Sequence, residues 1–163
     1  MVDVLLLPLP ADELEAVRRD GVDAWGRTVE PSVDDEGGSQ LRCCLARSLP
    51  GERILLVGHA PLGSARPWQE VGPVFVHAQA CPVVADGTVP AWLDDDARVL
   101  RAYDAGGAMR YEHNRLVAAG EGVEAALAEV LAHPEVAEVH VRNLLAQCFV
   151  ARAVRTPPSG ERV

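Results

Sequence analysis

The chain has 163 residues, 48% hydrophobic and 4% aromatic, with a formal net charge of −9. That length suits one domain whose core is mostly Val, Leu and Ala, without help from disulfides or metal. Scattered arginines outnumbered by acids argue against a phosphate-tracking nucleic-acid surface, and the absence of any lysine excludes a Schiff-base or phosphate-loop lysine.

The apolar start at residues 4–7 lacks a basic leader and is too short for a signal peptide, and nothing approaches a membrane span. The expectation is a cytoplasmic chain whose four cysteines are thiols. Residues 4–7 read as a short edge strand stopped by Pro8 and Pro10. From Ala11 to Gly21, acids come first, arginines last and glycine follows, which predicts a helix matched to its dipole. The polar, glycine-rich segment 31–40 reads as a mobile loop. Residues 41–48 and 53–60 flank Leu49-Pro50-Gly51-Glu52 and read as a β-hairpin, with Ile54-Leu55-Leu56-Val57 buried on both faces.

After a loop at 61–70 comes the central strand, residues 72–82, closed by Pro73 and Pro82. Residues 81–96 read as irregular, and Asp94-Asp95-Asp96 as solvated acids without a calcium-loop pattern. A strand at 98–103, a turn at 104–107 and a return strand at 108–113 follow. Val123, Ala126, Leu127, Val130 and Leu131 recur with helical spacing up to His133-Pro134. Strands at 137–143 and 147–154 precede a frayed tail at 156–163, so the domain is expected to span 1–155. The fold class is α+β: a mainly antiparallel sheet of six or seven short strands with one or two packed helices.

Alternation then sorts the side chains. Phe75, His77, Gln79 and Cys81 share one face of the central strand, and His140 and Arg142 share one face of a later strand. Those faces hold His, Gln, Arg and Cys with little Asp or Glu, which is not the usual solvated pattern. If the strands are neighbours, His77 and His140 face one another across a pocket. His77 and Cys81 are about 13 Å apart along a regular strand, so they share a metal only if the chain bends before Pro82. Cys43 and Cys44 would point to opposite faces of an extended strand. Cys148, beside Phe149 and Val150, reads as a small core residue, and His59 as a strand-end residue bonded to backbone. His113 and His133 read as surface residues. The chain has no Gly-x-Ser-x-Gly elbow, His-Glu-x-x-His, phosphate loop or dinucleotide fingerprint.

The order Arg42-x-x-Leu45, Pro50-Gly51-Glu52, Gly72-Pro73-Val74-Phe75-Val76-His77-Ala78 with Cys81, Arg101-Ala102-Tyr103-Asp104 and Val139-His140-Val141-Arg142-Asn143 with Cys148 resembles a bacterial family, domain of unknown function 1203. The resemblance covers residues 41–155. It brings no reaction, but implies that His77, Cys81, Tyr103, His140, Arg142 and Cys148 form one constellation.

The reading is a small bacterial enzyme without a cofactor, acting on a small polar or anionic metabolite, with a biosynthetic pathway as one home. His77 or His140 would be the general acid or base and Cys81 the nucleophile or redox thiol. Arg42, Tyr103, Arg142 and Gln79 would bind substrate, the arginines through their planar forks. No metal ligand is assigned. The partner is a small molecule, with no nucleic acid or membrane and a homodimer left open. Two alternatives stand beside this: a non-catalytic binding module using the same pocket, and a zinc or iron protein ligated by His77, Cys81, His140 and Cys148.

Overall fold

A computed structural model of the protein describes residues 2–63, 66–81 and 85–157. The predicted tail lies outside the described residues from 158 on, as do 82–84 of the segment expected to be irregular. In chain order the elements are β1 (Val4–Leu7), α1 (Ala11–Asp20), β2 (Ser32–Asp34), β3 (Gln40–Leu41), β4 (Ala46–Arg47), β5 (Glu52–His59) and β6 (Gly72–His77). Then follow β7 (Arg98–Tyr103), β8 (Arg115–Val117), α2 (Val123–Leu131), β9 (Glu138–Asn143) and β10 (Phe149–Arg155). Short 3₁₀ turns occupy Ala91–Asp95 and Tyr111–His113. The class is α+β and sheet-rich, with more strands than the six or seven expected. Among the described residues, none of the helices is long and apolar enough to cross a membrane.

The strands form two five-stranded sheets, ordered β1-β10-β9-β7-β8 and β2-β5-β6-β3-β4. The first is antiparallel throughout, and the second is antiparallel apart from the β3–β6 pair. α2 covers one face of the first sheet. Its Val123, Ala126, Leu127, Val130 and Leu131 bury against Leu100, Ala102, Val139 and Val141. Each fully buried Leu there contributes on the order of 1.5–3 kcal/mol of transfer free energy. α1 ends as its sequence dictates, with Gly21 at φ 66 and its N–H on the Val17 carbonyl at 2.9 Å. Its Leu14 and Val17 pack on Leu55, Val57, Val74 and Val76 of the second sheet. Phe149 of the first sheet joins that second core, so the two sheets meet there.

Three local expectations give way to identifiable interactions. Within the predicted loop 31–40, Ser32–Asp34 form an edge strand paired to Ile54, Arg53 and Glu52. The Asp34 carboxylate gathers the Gly37 N–H at 3.0 Å and the Ser48 hydroxyl, so polar composition here marks an anchored segment. The expected hairpin of 41–48 with 53–60 does not form. Residues 42–45 turn tightly, with the Leu45 N–H on the Leu41 carbonyl at 2.9 Å and Leu45 at φ 58, and β4 pairs back onto β3. The Pro50-Gly51 turn is present, with Gly51 at φ 84, but β5 takes β2 and β6 as partners. The return strand after β7 comes later than predicted. Residue 109 makes one isolated bridge to Tyr103, and the paired strand is Arg115–Val117.

Two further details position the site. Leu56 is 42% exposed, so β5 is covered on one face and leaves the other open. In β10 the register with β9 shifts between Phe149 and Ala151, a bulge that lets Phe149 turn toward the second sheet while Val150 and Ala151 stay in the first core.

Candidate functional site

A cleft of about 690 Å³ lies between the open end of β5–β6 and the turn joining β9 to β10. That volume suits a small ligand. Phe75, Pro73 and Leu56 supply the apolar wall, and Arg42, His59, Glu70, Arg142, Gln147 and Cys148 supply the chemistry.

Arg42 opens the 42–45 turn and is only 3% exposed. Its Nε donates to the Phe149 carbonyl at 2.8 Å, one Nη to the Gln40 carbonyl, and the other Nη to Cys148 Sγ at 3.6 Å. Among the described residues no carboxylate lies within ion-pair distance of it. Burial pushes its pKa below the usual arginine value, opposed by the neighbouring Cys148 sulfur. Arginine nonetheless stays protonated near neutral pH.

Arg142, in β9, is 4% exposed. One Nη donates to the Gln147 carbonyl at 2.9 Å and the other pairs with Glu70, leaving Nε without a partner. The same Glu70 oxygen receives Arg101 Nη1 at 3.2 Å, and Arg101 also holds the Gln147 side chain at 3.1 Å. Glu70 is on a loop and its side chain is 42% exposed, so a half-exposed internal carboxylate sits between Arg142 and Arg101.

Cys148 is half-buried, and its sulfur accepts from Asn143 Nδ2 at 2.9 Å as well as from Arg42. Asn143 is oriented from behind: its Oδ1 accepts from buried Arg98, whose Nε is fixed on the Leu93 carbonyl at 2.9 Å. This fixes which end of the amide faces the sulfur. On the opposite wall His59, at the end of β5, presents Nδ1 to Glu13 Oε1 at 3.2 Å and packs on Phe149, with ring centroids 5.2 Å apart. Its partner is thus a carboxylate in α1 and not the backbone group expected for it.

The sequence-predicted residues divide. Arg42, Arg142 and Cys148 line the cleft. His77 and Cys81 lie with Cys43 and Cys44 in a second cluster. Gln79 lines a smaller groove of about 310 Å³ with Glu52, Arg53 and His77. His77 and His140 lie in different sheets. His140 is fully buried, its Nε2 2.9 Å from Glu138 Oε1, with the Tyr103 ring 4.5 Å and the Phe149 ring 5.3 Å away. Burial pushes the His140 imidazole below its ordinary pKa, opposed by Glu138, and burial pushes the Tyr103 phenol up. The pair supports Arg142 and Phe149 from beneath. Sequence reading passed over His59 and Glu70 as site residues, because α1 and the 61–70 loop are brought to the cleft by tertiary packing alone. The Asp94-Asp95-Asp96 run is accounted for without metal: Asp94 receives the Val123 N–H at 2.7 Å, and Asp95 pairs with Arg47 at 3.1 Å.

A family model described as "Protein of unknown function (DUF1203)" matches residues 38–155. No curated protein and no solved structure matches the chain. The matched span holds every cleft residue named above except Glu13, which backs His59 from α1, and it holds all four members of the cysteine–histidine cluster.

Proposed function

The chain belongs to the DUF1203 family, and on that premise we propose that its cleft binds a small anionic metabolite and acts on it through a His/Arg/Cys set. One observation carries the reading. Two guanidinium groups, each at least 96% buried, line one open cleft, and only Arg142 of the two has a carboxylate partner. Burying a cation without a counter-charge is costly, and such sites usually gain their partner from a ligand. A planar carboxylate or phosphate matches the forks.

Within this reading Arg42 and Arg142 anchor the anion. His59, backed by Glu13, is the group placed to move a proton, and Cys148 is the thiol facing the cleft in the role first assigned to Cys81. A binding module without chemistry is the second reading, favoured by how fully the carbonyls and Glu70 already engage both arginines.

The test is titration with inorganic phosphate and a set of small mono- and dicarboxylates, followed by amide chemical shifts. Arg142→Gln should weaken the preferred anion by roughly tenfold or more, the scale of one charge-assisted hydrogen-bond pair. Equal affinity in Arg142→Gln and Arg42→Gln would refute anion recognition. If His59→Gln and Cys148→Ser each abolish turnover of the anion's parent metabolite but keep its affinity, the enzyme reading holds over the binding module.

A further inference from the structure

Cys43, Cys44, His77 and Cys81 come from two segments that strand periodicity would hold apart. The 42–45 turn is not extended backbone, and Cys43 Sγ and Cys44 Sγ both reach the His77 ring. β6 stops at His77 and the chain bends through residues 78–79, which carries Cys81 back toward the His77 ring. One ligand atom from each of the four lies within 4.8 Å of every other.

The spacing matches a tetrahedral ion. Bonds of about 2.3 Å to sulfur and about 2.0 Å to nitrogen put S···N edges at roughly 3.5 Å. Cys43 Sγ and Cys44 Sγ lie 3.4 and 3.7 Å from His77 Nδ1. The surrounding groups also suit a metal thiolate. His77 turns Nε2 toward Glu52 Oε2 at 3.5 Å, leaving Nδ1 for an ion, the arrangement that orients a ligating imidazole. The His77 main-chain N–H donates to Cys43 Sγ at 3.2 Å. Arg18 grips the His77 carbonyl at 3.1 Å through Nε and Nη2, and Nη2 lies 3.9 Å from Cys81 Sγ. Three thiolates and a neutral imidazole around a divalent ion leave one negative charge, which Arg18 faces.

We infer that Cys43, Cys44, His77 and Cys81 form a closed, structural site for a thiophilic tetrahedral divalent ion of the zinc type. It differs from the set first considered, because His140 lies in β9 of the other sheet and Cys148 in the turn between β9 and β10. Four protein ligands leave no open position for substrate, and the ion would tie the 42–45 turn to the end of β6. The His113, His133 and Glu135 group is more exposed and offers no sulfur, so thiolate spectroscopy separates the two.

The experiment is cobalt(II) titration of untagged, reduced, metal-stripped protein, followed by zinc(II) competition. One equivalent should give sulfur-to-cobalt charge transfer and tetrahedral ligand-field bands, both displaced by zinc. Cys43→Ser and Cys81→Ser should each lose one of the three thiolate contributions to the charge-transfer intensity, and Cys148→Ser should retain all three. Glu52→Gln should weaken zinc binding by about 10–100-fold. A wild-type protein without charge transfer, or a band undiminished in both Cys43→Ser and Cys81→Ser, would overturn the site. The wild-type spectrum decides even if a variant fails to fold. The outcome leaves the anion-binding reading untouched, since Cys148→Ser alters the cleft and not the cluster.

Discussion

Neutralising Glu70 tests the cleft more sharply than removing an arginine. In the structure the Glu70 carboxylate occupies Arg142 and Arg101, so an incoming anion competes with an internal one. Glu70→Gln keeps the shape and removes the competing charge. A unit charge pair at about 4 Å is worth about 1 kcal/mol in water and about 4 kcal/mol at an effective dielectric of 20. With Arg142 buried and the Glu70 side chain 42% exposed, solvent screening places the pair toward the low end, at about 1–2 kcal/mol. The variant should therefore bind the preferred carboxylate or phosphate roughly 5- to 30-fold more tightly, with the gain shrinking as salt rises. Calorimetric titration of wild type and variant at two ionic strengths measures this directly. Unchanged or weaker binding in Glu70→Gln would show that anions do not reach Arg142, and the competition argument would fail.

Two further predictions concern the scaffold. His140 is held below its ordinary pKa by burial, so as pH falls through about 6.5 the unfolded chain takes up a proton that the native one refuses. Stability should drop by at most about 1.36 kcal/mol per pH unit in that window, and urea midpoints should show a shallower slope in His140→Gln. Burial pushes the Glu138 carboxyl up, but its bond to His140 and the Arg152 charge outweigh this and hold it low. Its contribution is present above about pH 4.3 and lost below, a separate window. Asp94→Ala removes the carboxylate that receives the first N–H groups of α2, whose own N-cap is Gly122. Urea denaturation should report a loss of about 1 kcal/mol, and no change would mean solvent satisfies those donors equally well.

The sequence announced what local chemistry controls. α1 carries its own C-terminal glycine and charge order, α2 its apolar stripe, and β7 and β9 their alternation, and all four lie within a residue or two of expectation. Pairing was harder to read. β2 is three residues long, two of them polar, and owes its place to Asp34 and to the edge of β5, neither of which leaves a periodic trace. The cleft was half legible: Arg42 and Arg142 stood out by residue type, while Cys148 reads from its neighbours as a core residue and His59 acquires its role from Glu13 on α1. His77 and His140 both sit on alternating strands, yet alternation says nothing about which sheet a strand joins. The cysteine cluster was obscured by an assumption of extended backbone at residues that turn.

The turn at 42–45 serves two places with consecutive side chains, Arg42 toward the cleft and Cys43 with Cys44 toward His77. A single inserted or deleted residue there would rotate the following side chains by about 100° and exchange a cation for a thiol at the cleft wall. Length variation is better absorbed at the exposed Ala105 and Gly106, as surface loops generally allow. Between Leu41 and Ala46 the chain has one workable length, and a library of insertions should find that interval closed.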